Sequence, residues 1–125
     1  ALGGNAFAGP EKPLTMSQQF QFAQTAMESL TPLLMDGREL VITHGNGPQV
    51  GFIMLRSEIA RREAGLHIVP LEIAVADTQG AIGYQLSQTL DNELRRRGLD
   101  AYDAVLRTCA IRLRPVLLTP VTVDD

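Results

Sequence analysis

Two short glycine-containing turns carry the groups in this sequence best suited to holding a small anion. They are Leu2-Gly3-Gly4-Asn5 and His44-Gly45-Asn46-Gly47-Pro48, and each follows apolar residues. Glycine lets backbone N–H groups approach an anion that any Cβ would hold away. Asn5 and Asn46 each add a side-chain donor and an acceptor. The second turn reads as feeding a helix, whose N-terminus bears positive partial charge. Pro48 suits the first helical position, where its missing N–H leaves no bond unmade. Two such turns, at the carboxyl ends of neighbouring parallel strands, converge on one crevice. The chemistry expected is recognition of a small phosphate- or carboxylate-bearing ligand by Gly3, Gly4, Asn5, Gly45, Asn46 and Gly47. One Gly-Gly alone reads as an ordinary connection, whereas two Gly/Asn turns in equivalent places favour a site. Neither turn fits the Rossmann fingerprint or the P-loop.

The elements that must position these turns alternate between helix and strand. Residues 5–14 contain Gly9, Pro10 and Pro13 and read as an irregular loop. Thr15-Met16-Ser17-Gln18 fits a capping box at a helix start. Phe20, Ala23, Met27, Leu30 and Leu34 then recur at helical spacing, and Asp36-Gly37 closes the helix. Leu40-Val41-Ile42-Thr43-His44 reads as a buried parallel strand. After Pro48 a second helix is expected to about Ala64, with Val50, Ile53, Met54 and Ile59 inward and Gly65 at its end. A third runs from Pro70 to about Arg97 and stops at Gly98. Its apolar positions are Ile73, Ala76, Ala81, Tyr84, Leu86 and Leu90, interrupted by Gly80 and Gly83. Those glycines share a face and invite close packing against the glycine turns or a twin helix. Arg114 to Thr119 reads as a further buried strand. The alternation points to an α/β fold with a parallel sheet.

Composition narrows the function classes. The chain has 125 residues, 45% of them hydrophobic and 20% charged, with a net charge of -3. That size suits one domain or one lobe of something larger, and the charge disfavours nucleic acid or anionic membrane as partner. No apolar run reaches the roughly 20 residues of a membrane span. The single Cys109 excludes an internal disulfide and a cysteine-based zinc site, which fits a reducing, intracellular setting. Of eleven basic residues ten are arginine, and Lys12 is the lone lysine. Arg95-Arg96-Arg97 falls in the last turn of the third helix, where cations suit the negative helix end better than they suit a phosphate.

Three motifs, in this order, resemble one family. They are Ala1-Leu2-Gly3-Gly4-Asn5-Ala6, Thr43-His44-Gly45-Asn46-Gly47-Pro48-Gln49-Val50-Gly51 and Thr78-Gln79-Gly80-Ala81-Ile82-Gly83-Tyr84. Together they look like carbamate kinase, a branch of the amino-acid kinase superfamily. Ala1 sharpens the likeness, because many superfamily members carry lysine just before that glycine turn and carbamate kinases carry alanine. Leu118 to Asp124 also resembles the family's next strand and turn. The resemblance implies a three-layer α/β/α sandwich with a mainly parallel sheet. It implies phosphate transfer between carbamoyl phosphate and ADP (ATP and carbamate in reverse), with magnesium, in a cytoplasmic homodimer serving arginine breakdown. Residue by residue, Gly3, Gly4 and Asn5 would line the transferred phosphoryl group, and Gly45, Asn46 and Gly47 would hold the carbamate end.

Residues 1–125 then correspond to the N-terminal, carbamate- and phosphoryl-binding part of the family's domain. Both ends read as cut, and the nucleotide-binding half with its phosphoryl-stabilising lysines lies beyond the chain. Phosphoryl transfer depends on positive charge over the equatorial oxygens, and Lys12 in a proline-flanked loop replaces it poorly. The chain alone is expected to be inactive, and to associate or fold poorly. A second departure is the stretch Leu99 to Leu113, longer than the family's usual link, where Tyr102, Val105, Leu106, Cys109 and Ile111 could form an extra helix or strand. His44 reads as a residue that fixes its turn by bonding backbone, and Asp77 as one able to orient a site residue. Cys109 reads as a small buried hydrophobe. Two histidines without carboxylates at ligand spacing argue against a protein-held metal, so magnesium would arrive with nucleotide. The alternative function is a non-catalytic anion-binding or structural module of the same fold. Another small-molecule kinase of the superfamily is disfavoured by Ala1 and by the middle motif.

Overall fold

Thr15 opens the first helix with its side chain. Its hydroxyl accepts from the Gln18 backbone N–H at 3.3 Å, and Gln18 Oε1 accepts from the Thr15 N–H at 2.9 Å. This reciprocal box satisfies two donors that a helix start would otherwise leave unpaired. The computed structural model describes residues 2–3, 15–99 and 103. They form three helices: α1 (Met16–Met35), α2 (Gly47–Ala64) and α3 (Leu71–Arg96). Gly37, Gly65 and Gly98 follow the three helices with φ of 79°, 67° and 90°, in the left-handed region where glycine is unstrained.

The core lies between α1 and α3. Ala23, Met27 and Leu34 from α1 meet Ile82, Leu86, Leu90 and Leu94 from α3, all of them buried. The α3 residues fall at every fourth position and continue back through Thr78 and Ala74, a single ridge along the helix. This stripe differs from the run of apolar positions along α3. Ile73 and Tyr84 are exposed, at 48% and 56%, as are Ala76 and Ala81, while Leu86 and Leu90 are buried as expected. The ridge includes a threonine, so a search for apolar residues alone misses its register. Tyr84 meets Phe20 of α1 edge to face, ring centroids 6.1 Å apart. Gly80 and Gly83 have no described residue within 4 Å of where a Cβ would stand, so the expected close approach is not made among the described residues.

In α2 the buried positions are polar. Gln49 and Ser57 turn inward, and the Ser57 hydroxyl accepts from the Val69 N–H at 2.6 Å, pinning the loop that leads to α3. Val50, Ile53 and Met54 are half-buried, and Ile59 is exposed rather than inward. The α2 face is set by that loop anchor and not by its most apolar residues.

The expected strand over residues 40–44 is present as extended chain, not as a ladder. Among the described residues the only β pairing is a parallel bridge between Leu2 and His44. Leu40 and Ile42 pack on the helical core, and Val41 between them is 73% exposed. This period of two is that of a sheet strand with a helical layer on one face. The described residues supply no second neighbour strand and no layer over the other face. The three-layer architecture therefore does not follow from them. The expected strand at 114–119, Lys12, Cys109, Gly4 and Asn5 lie outside the described residues, as does the stretch 99–113 apart from Leu99 and Asp103.

Candidate functional site

The bridge brings Leu2 and Gly3, the described start of the first glycine turn, beside the second. The Leu2 N–H donates to the Thr43 carbonyl at 2.7 Å, and the Gly45 N–H donates to the Leu2 carbonyl at 2.9 Å. Gly3 therefore leaves its strand residue beside the point where Gly45-Asn46-Gly47 enters α2. Of the six expected site residues, Gly3, Gly45, Asn46 and Gly47 gather here, and Gly4 and Asn5 are outside the described set. Gly3 and Gly47 have ordinary backbone angles, and a Cβ on either would meet no described atom within 4 Å. Neither strain nor packing among the described residues explains glycine at these positions.

Asn46 stands at the N-cap of α2 but makes no side-chain cap bond. Its side chain crosses to α3 instead, where Nδ2 donates to Thr78 Oγ1 at 2.9 Å and lies 3.5 Å from the Val75 carbonyl. The donor expected to serve a ligand is thus engaged by the protein. Thr78 is the partner that sequence reasoning missed. It opens the third motif, but nothing in the sequence pairs residues that stand 32 positions apart. Asp77, the neighbour considered for that role, is exposed. His44 is half-buried, with Nδ1 3.4 Å from the Gly45 carbonyl. That is the backbone contact expected of it, at the outer limit of a hydrogen bond.

The arginine triplet is far from these turns. Arg96 stands eighteen positions beyond Thr78 on α3, about 27 Å along a helix. Arg96 and Arg97 both grip the buried Glu93: Arg96 Nε and Nη2 each donate at 2.8 Å, and Arg97 Nε donates at 2.6 Å. Arg95 pairs with Asp91 at 3.0 Å. The hydrogen bonds from Arg96 and Arg97 outweigh burial and hold the Glu93 carboxyl down at about 2. Glu93 in turn raises the Arg96 guanidinium above its ordinary value. The triplet is structural. Among the described residues no three His, Cys, Asp or Glu side chains gather as a metal site, and no helix is long and apolar enough to cross a membrane.

Over 112 residues, 89% of its length, the chain is 39% identical to carbamate kinase of Thermococcus kodakarensis. The chain is homologous to part of carbamate kinase. Those 112 residues make up 36% of the Thermococcus enzyme. The carbamate kinase-like protein YahI of Escherichia coli is 40% identical over 98 residues, 78% of this chain and 31% of that protein. A solved structure of carbamate kinase from Giardia lamblia bound to AMP-PNP superposes with a TM-score of 0.70 at 33% identity. That match covers 77% of this chain and 33% of the Giardia chain. The chain thus spans about a third of the length of the carbamate kinases it matches. No family model matches it.

Proposed function

We propose that the chain supplies the carbamate- and phosphoryl-binding part of a carbamate kinase. In the full reaction such an enzyme moves the phosphoryl group of carbamoyl phosphate to ADP, or runs from ATP and carbamate in reverse. The observation that carries this reading is the Leu2–His44 bridge, which sets the Gly3 turn against Gly45-Asn46-Gly47 at the start of α2. Peptide N–H groups at that helix start suit the carbamate end of the substrate, and the Gly3-Gly4-Asn5 turn suits the transferred phosphoryl group. The period-two burial of residues 40–44 supports an α/β/α sandwich in which α1 and α3 form one outer layer. The homodimer and cytoplasmic setting belong to the same reading.

The gathered turn residues offer amide and peptide groups and no carboxylate, so they do not fit a protein-held magnesium ion. In this reading the metal comes with the nucleotide phosphates, and none of the described residues has a step through it. The second reading is an anion-binding module of the same fold without catalysis. ATP formation from carbamoyl phosphate and ADP by the intact protein distinguishes the two, and its absence favours the module. Asn46→Ala in the intact protein is expected to weaken carbamoyl phosphate binding about tenfold, the effect of removing one hydrogen-bonding side chain from a binding turn. Unchanged affinity by calorimetry contradicts the assignment of that turn.

A further inference from the structure

The hydrogen-bond chain behind Asn46 determines which end of its amide a ligand meets. Thr78 is 3% exposed, and its hydroxyl donates its one hydrogen to the Val75 carbonyl at 2.9 Å. Oγ1 can therefore only accept from the Asn46 atom that faces it, and that atom must be Nδ2. The Val75 carbonyl, also an acceptor, stands on the same side of the amide at 3.5 Å. Those two acceptors are themselves 2.9 Å apart, close enough to share one Nδ2 hydrogen, so the turn is left with Oδ1, an acceptor, and the second Nδ2 hydrogen.

We propose that Thr78 is a positioning residue that makes Asn46 selective for an acyl phosphate bearing an amino group. Held this way, Oδ1 accepts a hydrogen bond from the –NH2 of carbamoyl phosphate or carbamate, while peptide N–H groups take the oxygens. Acetyl phosphate, in which a methyl replaces the amino group at nearly the same size, has no hydrogen to give and leaves Oδ1 unpaired. A site built to bond an N–H rejects the analogue that lacks it far better than an apolar pocket separates two sizes. A free amide could rotate and offer Nδ2 instead, and that discrimination would fade. The inference rests on the carbamate kinase reading and adds the residue that sets its selectivity.

The test compares ATP formation from ADP with carbamoyl phosphate and with acetyl phosphate in the intact protein. Thr78→Val removes the hydroxyl at constant shape, and Thr78→Ala removes it without adding a second methyl at the helix contact. In both, the ratio of kcat/KM for carbamoyl over acetyl phosphate is expected to fall about tenfold, the size of one lost hydrogen bond in a desolvated site. The fall should come through KM for carbamoyl phosphate, with kcat and the acetyl phosphate constants little changed. Thr78→Ser keeps the hydroxyl and should restore the ratio. A ratio unchanged in both hydroxyl-less variants, or an equal loss on both substrates, overturns the inference and leaves the kinase reading standing. A wild-type protein that turns over neither substrate overturns that reading and this inference with it.

Discussion

Glu93 shows how much one buried charge can ask of its neighbours. Its carboxylate is only 3% exposed, and such a group stays ionised only where hydrogen bonds replace its lost water. Three guanidinium contacts from Arg96 and Arg97 do so and hold it ionised down to about 2 against an ordinary 4.5. Because the folded-state value lies below the unfolded one, the unfolded chain binds this proton first as pH falls. The stabilisation is therefore complete above about pH 4.5 and declines from there toward pH 2. Denaturant midpoints between pH 6 and pH 2.5 should fall in wild type. The fall should be shallower in Glu93→Gln, which has no charge to lose. Parallel curves for the two proteins contradict the role assigned to Glu93. Asn46 makes the same point for a neutral group, since its partner on α3 decides which way its amide is turned.

At the scale of elements, α1 contains a break that α3 repairs. Pro32 lies inside α1 and has no N–H to give the carbonyl four residues earlier, which belongs to Glu28. Arg97 at the end of α3 fills that place, its Nη2 donating to the Glu28 carbonyl at 3.2 Å while its Nε holds Glu93. One side chain thus completes a helix, pairs a buried charge and ties α1 to α3. Arg97→Ala is expected to destabilise the protein by about 1.5–3 kcal/mol, the range for hydrogen bonds involving charged groups. In Pro32→Ala the new N–H can reach the Glu28 carbonyl itself, so part of the Arg97→Ala loss should disappear, leaving a coupling of about 0.5–1 kcal/mol. Additive losses in that double-mutant cycle contradict the repair. The arginine triplet was legible as a helix-end feature, because charge at a helix terminus is a local matter. Its service to Pro32 was not, because those residues are 65 positions apart and only the packing of two helices brings them together.

Across the whole molecule, the described residues bury one ridge well and leave much apolar surface outside. Leu55, Ile59, Leu66, Ile68, Leu71 and Ile73 are all exposed, and Val41 leaves the outer face of the extended segment uncovered. Apolar side chains left exposed in this number favour association. The 125-residue chain in solution is expected to form concentration-dependent oligomers, visible as a rising sedimentation coefficient over a roughly hundredfold concentration range. A single monomeric boundary throughout contradicts this.

What the sequence determined by itself was local. The Thr15 cap, the glycines after each helix, the helix spans and the two glycine turns all depend on residues within a few positions of one another. Their stereochemistry is the same wherever the chain goes next. Motif order was also legible, and it led to carbamate kinase. The tertiary structure decided what depends on distant partners: which stripe of α3 is buried, whether residues 40–44 pair along a ladder or at one bridge, and which way the Asn46 amide turns. Each is a contest among contacts that propensity cannot rank, since a hydrogen bond or a buried face counts only once its partner is in place. The glycine turns could be read as an anion site from their residue types. That Leu2 and Gly3 come beside the second turn rests on two backbone hydrogen bonds between Leu2 and residues 43 and 45, and only the folded chain makes them.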